Sequence, residues 1–357
     1  MPELRKDPTT RRWVIIATER ATRPTDFVTT VDDDRTDPER CPFCEGREEK
    51  TPPEIFAIRP TGSAPDGPGW RVRVVSNKYP ALRIEGKTKR SKLGIFTRMD
   101  GVGAHEVIVE TPDHDTHLAL MAEAEIADVI RAYYQRYEDL DRDERFEYLL
   151  LFRNHGRAAG ASLSHPHSQL IALPMVPKRI SEELAAAESH YVKYGSCIYC
   201  DMIAQERTEA SRVVYENDRF LAVAPYASRF PFETWILPRA HMASFGRIGP
   251  EDVAPMAEAL KTVLLKLSLC VDNPPYNFIV HTAPYQYPRS PAYHWHLEIM
   301  PQLTHTAGFE WGSGFHINPM APEEAARYLR ETAVPAVVPQ PASAPPDPGL
   351  PLKVPAS

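Results

Sequence analysis

The pattern of apolar and polar positions predicts short strands and one long amphipathic helix in each half of the chain. In the first half, alternating or continuous apolar runs predict strands over residues 13–16, 71–77, 105–110, 148–152 and 170–173. A helix is predicted between the third and fourth strands, where helical spacing relates Ile126, Val129, Ile130, Tyr133 and Tyr137. Both strand and helix are therefore expected in this half.

The second half repeats this order of elements. Strands are predicted over residues 220–224, 233–237, 277–280 and 294–299. The helix between the second and third of them is marked by Val253, Met256, Leu260, Val263, Leu264 and Leu267. Both halves read CxxC, strand, strand followed by histidine, helix, strand, and an HxH strand. The two histidines of this pattern are 51 positions apart in the first half and 53 in the second, which indicates an internal duplication.

Length and composition agree with two halves followed by a tail. A chain of 357 residues is longer than the chain that one hydrophobic core ordinarily organises. We predict an N-terminal half over residues 1–180 and a C-terminal half over 181–333. From residue 334 to 357 the chain is rich in proline and alanine, which is typical of a disordered tail.

Charge and hydropathy exclude several classes of protein. The chain is 43% hydrophobic and carries a net charge of −7 without a basic block, which argues against nucleic acid as a partner. No apolar run approaches the roughly 18 residues of a membrane span, so no membrane partner is expected. The amino terminus lacks an apolar signal region, which favours a cytoplasmic location.

The cysteines predict two metal sites. Four of the five cysteines form two CxxC pairs, a spacing that supplies two zinc ligands from one turn. The duplicated order then predicts two tetrahedral zinc sites, formed by Cys41, Cys44, His114 and His165, and by Cys197, Cys200, His241 and His294. Four protein ligands leave no position for a reacting water, so the metal is expected to be structural. The alternatives are cysteines that only pack in the core, His117 in place of His114, and iron at the second site.

The HPH segment supplies a candidate nucleophile. If metal holds His165, the ring of His167 is free, and neutral imidazole can attack phosphorus to give a covalent intermediate. Ser162, Gln169 and the backbone of the loop that contains Gly160 can donate hydrogen bonds to phosphoryl oxygens. Asn154 precedes that loop and could hold a ribose or phosphate. The alternative is that His167 is a strand histidine bonded to a neighbour.

Together these residues resemble the galactose-1-phosphate uridylyltransferase family, the transferase branch of the histidine-triad superfamily. The resemblance covers residues 5–330. It rests on CPFC at 41–44, SNKYPAL at 76–82, TPDH at 111–114, NHGRAAGASLSHPHSQ at 154–169, FETWILPRAH at 232–241 and HTAPY at 281–285. It implies an α+β fold of two tandem histidine-triad-like halves, with antiparallel sheets and helices packed on one side of them.

The resemblance also implies a reaction. His167 would take the nucleotidyl group from a nucleotide sugar and pass it to a sugar 1-phosphate in a ping-pong sequence. Gln169 would contact the phosphoryl group, where hydrolytic members of the superfamily carry a third histidine, so transfer is favoured over hydrolysis. In addition, the family match gives roles to other positions: Ser162 and Asn154 in the pocket, Asn77 at the nucleoside, and Arg20 and Arg23 at the neighbouring site of a homodimer.

One segment departs from the best-known uridylyltransferases. Residues 307–319 read AGFEWGSGFHINP and lack the lysine and the Tyr-Glu pair that hold the hexose phosphate in those enzymes. This version resembles relatives that act on ADP-glucose with inorganic phosphate, and Gly312 and Gly314 would let backbone amides approach a phosphate.

Three hypotheses therefore stand: a UDP-glucose–hexose-1-phosphate uridylyltransferase of galactose metabolism, an ADP-glucose phosphorylase, and an inactive zinc or nucleotide-binding scaffold. In the second half, His296 and Glu298 occupy the positions of His167 and Gln169, and we expect that half to have lost the chemistry.

Overall fold

The computed structural model describes residues 1–20, 23–24, 27 and 36–335. Within them, the strands are β1 Glu3–Lys6, β2 Trp13–Ile16, β3 Glu54–Ile58, β4 Val72–Ser76, β5 Arg90–Leu93, β6 Phe96–Met99, β7 Ala104–Val109, β8 Tyr148–His155, β9 His167–Leu173, β10 Val213–Glu216, β11 Phe220–Val223, β12 Thr234–Pro238, β13 Tyr276–His281, β14 His296–Pro301 and β15 His316–Asn318. The helices are α1 Glu123–Leu140, α2 Lys178–Tyr194, α3 Ile198–Glu209, α4 Pro250–Val271, α5 Gly308–Ser313 and α6 Pro322–Glu331. The side chain of Arg20 and the predicted tail from residue 336 lie outside the description.

Every strand and both helices that the apolar pattern predicts are present. The α+β fold with antiparallel sheets is also confirmed. The strand predicted over residues 170–173 starts earlier, at His167, so the candidate nucleophile is the first residue of β9. Among the described residues, no helix is both long enough and apolar enough to cross a bilayer.

One ten-stranded sheet joins the two halves. Its order is β3-β4-β7-β9-β8 for the first half, and the same order recurs as β10-β11-β12-β14-β13 for the second. The halves meet where β8 pairs antiparallel with β13, with Asn154 opposite Asn277. This repeated strand order is the structural form of the internal duplication. Because the sheet continues across the junction, the boundary between residues 180 and 181 stays a prediction.

Helices cover both faces of the second half. On one face α1 and α4 pack against each other and against the sheet, with Phe220 and Ala222 of β11 beneath them. On the other face Leu221 and Val223 pack against α3. The expectation that the helices lie on one side only is therefore wrong for α2 and α3. The physical reason is that β11 is apolar at every position, and burying a large apolar side chain contributes roughly 1.5–3 kcal/mol.

Candidate active site and metal centres

The first CxxC pair meets two distant histidines at one point. The ligand atoms of Cys41, Cys44, His114 and His165 all lie within 4.8 Å of one another. Cys44 Sγ is 3.3 Å from His114 Nδ1 and 3.7 Å from His165 Nδ1, and the two Nδ1 atoms are 3.2 Å apart. Tetrahedral zinc with ordinary bond lengths requires separations of roughly 3.5 Å between sulfur and nitrogen and roughly 3.3 Å between nitrogens. The observed spacing fits zinc.

The tautomers of these histidines also fit a cation. His165 Nε2 donates to the carbonyl of Thr111 at 2.8 Å, and His114 Nε2 donates to that of Thr36 at 2.9 Å. Each neutral ring therefore carries its proton on Nε2, and its Nδ1 lone pair faces the other ring. Two lone pairs at this distance repel each other unless a cation lies between them. Backbone carbonyls on the outer nitrogens are the usual support for metal-bound histidine.

The second cluster reproduces the first. Cys200 Sγ lies 3.4 Å from His241 Nδ1 and 3.6 Å from His294 Nδ1, with Cys197 in the same group. The outer nitrogens again donate to backbone carbonyls, those of Ser290 and Pro238. The two ring planes cross at 82° in the first cluster and 85° in the second. The structure thus brings together all eight residues predicted as ligands.

His117, the sequence alternative to His114, lies outside the cluster. Its ring contacts that of His155 with the centroids 5.3 Å apart, and its buried Nδ1 has no partner among the described residues. Burial, together with the charge of Arg153, lowers the pKa of His117 to about 4 and that of His155 to about 3. Both rings are therefore neutral at pH 7.

This pair predicts an acid-sensitive stability. The unfolded chain, with ordinary histidine pKa values near 6.5, takes up protons below that pH that the folded chain does not. We expect the free energy of unfolding to fall from pH 7 to pH 5, and His117→Phe to reduce that dependence by about 1 kcal/mol per pH unit. Urea unfolding at pH 7, 6 and 5 measures it. His305→Gln, at an exposed histidine, is the control, and equal slopes for wild type and His117→Phe would contradict the prediction.

The HPH segment orients His167 through its backbone. His167 Nδ1 donates to the carbonyl of His165 at 2.8 Å, so Nε2 carries the lone pair. Burial lowers the pKa of His167, which keeps the ring neutral. The ring of Phe43, from the CxxC turn, lies 5.4 Å away. Two segments that carry predicted metal ligands, the CxxC turn and the HPH segment, thus contact the candidate nucleophile.

A cavity of about 460 Å³ lies in front of His167. Val75, Val107 and Gln169 lie in one row across β4, β7 and β9 and form its floor, which is apolar at the two valines and polar at the Gln169 amide. The full lining is Pro42, Phe43, Lys50, Thr51, Pro52, Val75, Ser76, Asn77, Lys78, Tyr79, Val107, Ser162, Leu163, His167 and Gln169. Apolar walls with a few polar groups and two lysines suit a nucleotide, which has an apolar ring and anionic phosphates.

Four residues predicted for the site line this cavity: Asn77, Ser162, His167 and Gln169. Asn154 does not; its side-chain oxygen accepts from Asn277 Nδ2 at 2.8 Å behind the loop. Gly160 supports the loop with a φ of +91°, a conformation that favours glycine, and so turns the chain towards Ser162.

Other predicted positions lie away from the cavity. Gly312 is in α5, and Gly314 ends that helix by donating its N–H to the carbonyl of Glu310 at 2.8 Å. Arg23 follows β2 and is not among the described lining residues, and the side chain of Arg20 lies outside the described part of the chain. Their roles at a phosphate or at a neighbouring subunit stay predictions.

Sequence reasoning missed several lining residues. Phe43 lies inside the CxxC motif and Lys78 inside SNKYPAL, so both could have been found from the motifs that contain them. Lys50 and Thr51 lie in the connection before β3, which has no sequence motif or apolar periodicity that would mark them as site residues. Outside the lining, His105 has in the sequence only the pattern of a strand residue, although its Nε2 lies 2.9 Å from Gln169 Oε1.

The corresponding region of the second half is filled by side chains. His296 stacks between Trp235 and His281, with centroids 4.9 and 5.0 Å from its own. Glu298, in the place of Gln169, accepts hydrogen bonds from Arg179 and from Arg229, each at 2.8 Å. This packing agrees with the expectation that the second half is scaffold.

Two family models and several known proteins match this chain. Residues 1–177 match the family model for the N-terminal domain of galactose-1-phosphate uridyl transferase, and residues 183–335 match that for its C-terminal domain. ADP-glucose phosphorylase of Arabidopsis thaliana is 38% identical over 339 residues, or 93% of each chain. Galactose-1-phosphate uridylyltransferase of Thermotoga maritima is 33% identical over 343 residues, 94% of this chain and 99% of that one. The solved structure of the Arabidopsis phosphorylase with bound ADP-glucose superimposes with a TM-score of 0.79 at 36% identity, covering 94% of this chain and all of that chain.

Proposed function

This chain belongs to the galactose-1-phosphate uridyl transferase family and is a nucleotidyltransferase; from that premise we propose that it transfers a nucleoside monophosphate from a nucleotide sugar through His167. The observation that carries the proposal is the single hydrogen-bonded tautomer of His167. Its proton is held on Nδ1 by the carbonyl of His165, and the ring borders a cavity of nucleotide size.

The first half-reaction follows from that tautomer. The Nε2 lone pair forms a bond to the α-phosphorus, and the phosphorus–oxygen bond to the sugar phosphate breaks with its electron pair going to the departing sugar 1-phosphate. The ring gains positive charge, which its Nδ1–H shares with the carbonyl of His165. Gln169 and Ser162 donate to the phosphoryl oxygens, and Lys50 and Lys78 offset the negative charge of the nucleotide.

The second half-reaction returns the ring to its starting state. An oxygen of a phosphate-bearing acceptor attacks the phosphorus, and the bond to Nε2 breaks with its electrons returning to the ring. No proton has to leave His167 in either step, because Nδ1 keeps its proton throughout. The histidine therefore needs no general base, which agrees with a buried site.

Metal has a positioning role in this proposal. Zinc would be held by Cys41, Cys44, His114 and His165, with a second ion on Cys197, Cys200, His241 and His294. When bound, zinc supplies fixed coordination geometry and no reacting water, since four protein ligands complete its shell. Fixing His165 fixes the carbonyl that holds the His167 proton.

Two donor and acceptor pairs compete within this mechanism. The first is UDP-glucose with galactose 1-phosphate, which the sequence motifs favour. The second is ADP-glucose with inorganic phosphate. It is favoured by the relative at 38% identity and by the Gly-rich segment 307–319, which lacks the lysine of the hexose-phosphate site. A homodimer in which Arg20 and Arg23 reach the neighbouring site, and a cytoplasmic location, complete the proposal.

A donor-by-acceptor matrix tests it. The protein is incubated with UDP-glucose or ADP-glucose carrying ³²P in the α-phosphate, and acid-labile label on the chain is counted. Acceptors are then added singly: galactose 1-phosphate, glucose 1-phosphate and inorganic phosphate. We expect label from at least one donor and its release by one acceptor. Label from neither donor would favour the inactive scaffold and overturn the proposal.

A further inference from the structure

His105 contacts the candidate site through both ring nitrogens, one of which accepts a hydrogen bond while the other donates one. The backbone N–H of Ala81 donates to His105 Nδ1 at 3.0 Å. On the other side of the ring, His105 Nε2 lies 2.9 Å from Gln169 Oε1. His105 is two residues from Val107 on β7, and Val107 is opposite Gln169 on β9, so both side chains lie on the cavity face of the sheet.

These contacts determine the tautomer of His105. A backbone N–H can only donate, so Nδ1 must be the acceptor, and a neutral imidazole then carries its proton on Nε2. That proton is directed at Gln169, which must accept it with its carbonyl oxygen. Asn77 Nδ2 lies 3.1 Å from the same nitrogen. Since both nitrogens then carry protons, this contact is not a hydrogen bond, and Asn77 only packs beside the ring.

The tautomer in turn orients the amide of Gln169. A glutamine amide can rotate by a half turn at little cost when nothing distinguishes its two ends. Here the carbonyl end is held by His105, which leaves the NH₂ end for the cavity. Only the NH₂ end can donate to a phosphoryl oxygen, whereas the carbonyl end would repel it.

We propose that His105 is a positioning residue that orients the Gln169 amide so that its NH₂ group faces the transferring phosphoryl group. The inference rests on the proposed function, because it assigns Gln169 to that group. Through Ala81, the same ring links the loop after β4 to the phosphoryl site. His105 itself is not in the cavity lining and acts through Gln169.

Two substitutions separate positioning from a structural role. His105→Asn places an oxygen near Nδ1, so it keeps an acceptor for Ala81 and loses the donor to Gln169. His105→Gln reaches the position of Nε2, so it keeps a donor to Gln169 and loses the acceptor for Ala81. If the ring only supports the loop at Ala81, His105→Gln should lower the rate of label transfer more. If the ring orients the Gln169 amide, His105→Asn should lower that rate more.

The readout is the single-turnover rate of label transfer from the α-³²P nucleotide sugar to the protein, together with the dissociation constant of that donor. We expect His105→Asn to lower the rate roughly 10- to 100-fold with donor affinity changed less than about threefold, and His105→Gln to stay within about fivefold of wild type. In a Gln169→Ala background, His105→Asn should cause no further loss.

Each contrary result has a distinct meaning. Equal rates for wild type and His105→Asn, or an additive loss in the Gln169→Ala background, would overturn the positioning role while the labelled wild type upholds the proposed function. A wild-type chain that takes no label from either donor would overturn both.

Discussion

His167→Ala is expected to abolish label transfer from the nucleotide sugar, with a loss of roughly 10⁴-fold or more, because it removes the atom that forms the covalent bond. The fold should survive the change. His167 begins β9, and its hydrogen bond to His165 is a local contact between neighbours in the chain. Single-turnover labelling at saturating donor measures the loss, and circular dichroism with zinc content verifies the fold.

His296→Ala is the matched control for that change. It removes the corresponding histidine of the second half, which stacks between Trp235 and His281. We expect it to lower the unfolding temperature, since it leaves space in a buried stack, while label transfer per folded molecule stays near wild type. An equal loss of labelling in the two variants, or persistent labelling of His167→Ala, would contradict the assignment of the nucleophile to the first half.

Substitution of a metal ligand is expected to have the second large effect, on zinc content and on the unfolding temperature. The wild-type chain should bind two zinc ions, and Cys44→Ala and Cys200→Ala should each retain one. Loss of a structural ion belongs with the largest single-mutation effects, roughly 3–5 kcal/mol, and should lower the unfolding temperature by roughly 5–15 °C. Inductively coupled plasma mass spectrometry and calorimetry measure the two quantities.

Activity should distinguish the two metal variants. Cys44 shares its cluster with His165, whose carbonyl holds the His167 proton. Cys44→Ala should therefore lower label transfer roughly 10- to 100-fold, whereas Cys200→Ala, at the cluster of the second half, should leave it close to wild type below its unfolding temperature. Unchanged metal content in both variants, or equal loss of activity, would refute this division of roles.

The sequence was most informative for the metal ligands, because the duplicated order of motifs limited which histidines could accompany each CxxC pair. One CxxC pair followed by a histidine and an HxH strand is an ambiguous pattern. The same order in both halves pointed to His114, with His117 left as an alternative, and paired Cys197 and Cys200 with His241 and His294. The structure brings these ligand sets together and places His114, not His117, in the first. The HPH segment predicted that the side chains of His165 and His167 share one face, since extended backbone places alternate side chains together, but it did not predict the hydrogen bond from His167 Nδ1 to the His165 carbonyl.

Local patterns could not reveal contacts made by distant segments. His105 has the alternation of an ordinary strand residue, and its partners Ala81 and Gln169 lie 24 and 64 positions away. Asn154 looked available for a ligand because nothing in the sequence shows that β8 pairs with β13 and brings Asn277 against it. Packing of α2 and α3 on the second face depends likewise on β11 and β12 being central strands.

The central claim is that a neutral His167 Nε2 takes the nucleotidyl group, and the location of the covalent bond tests it most directly. The wild-type protein is mixed with the donor that labels it, digested at alkaline pH, and the peptide spanning residues 154–173 is sequenced by tandem mass spectrometry. We predict a nucleoside monophosphate on His167 that is lost in acid. The same mass on His165, His296 or any other residue, or an unmodified peptide from protein that has released sugar 1-phosphate, would contradict the account.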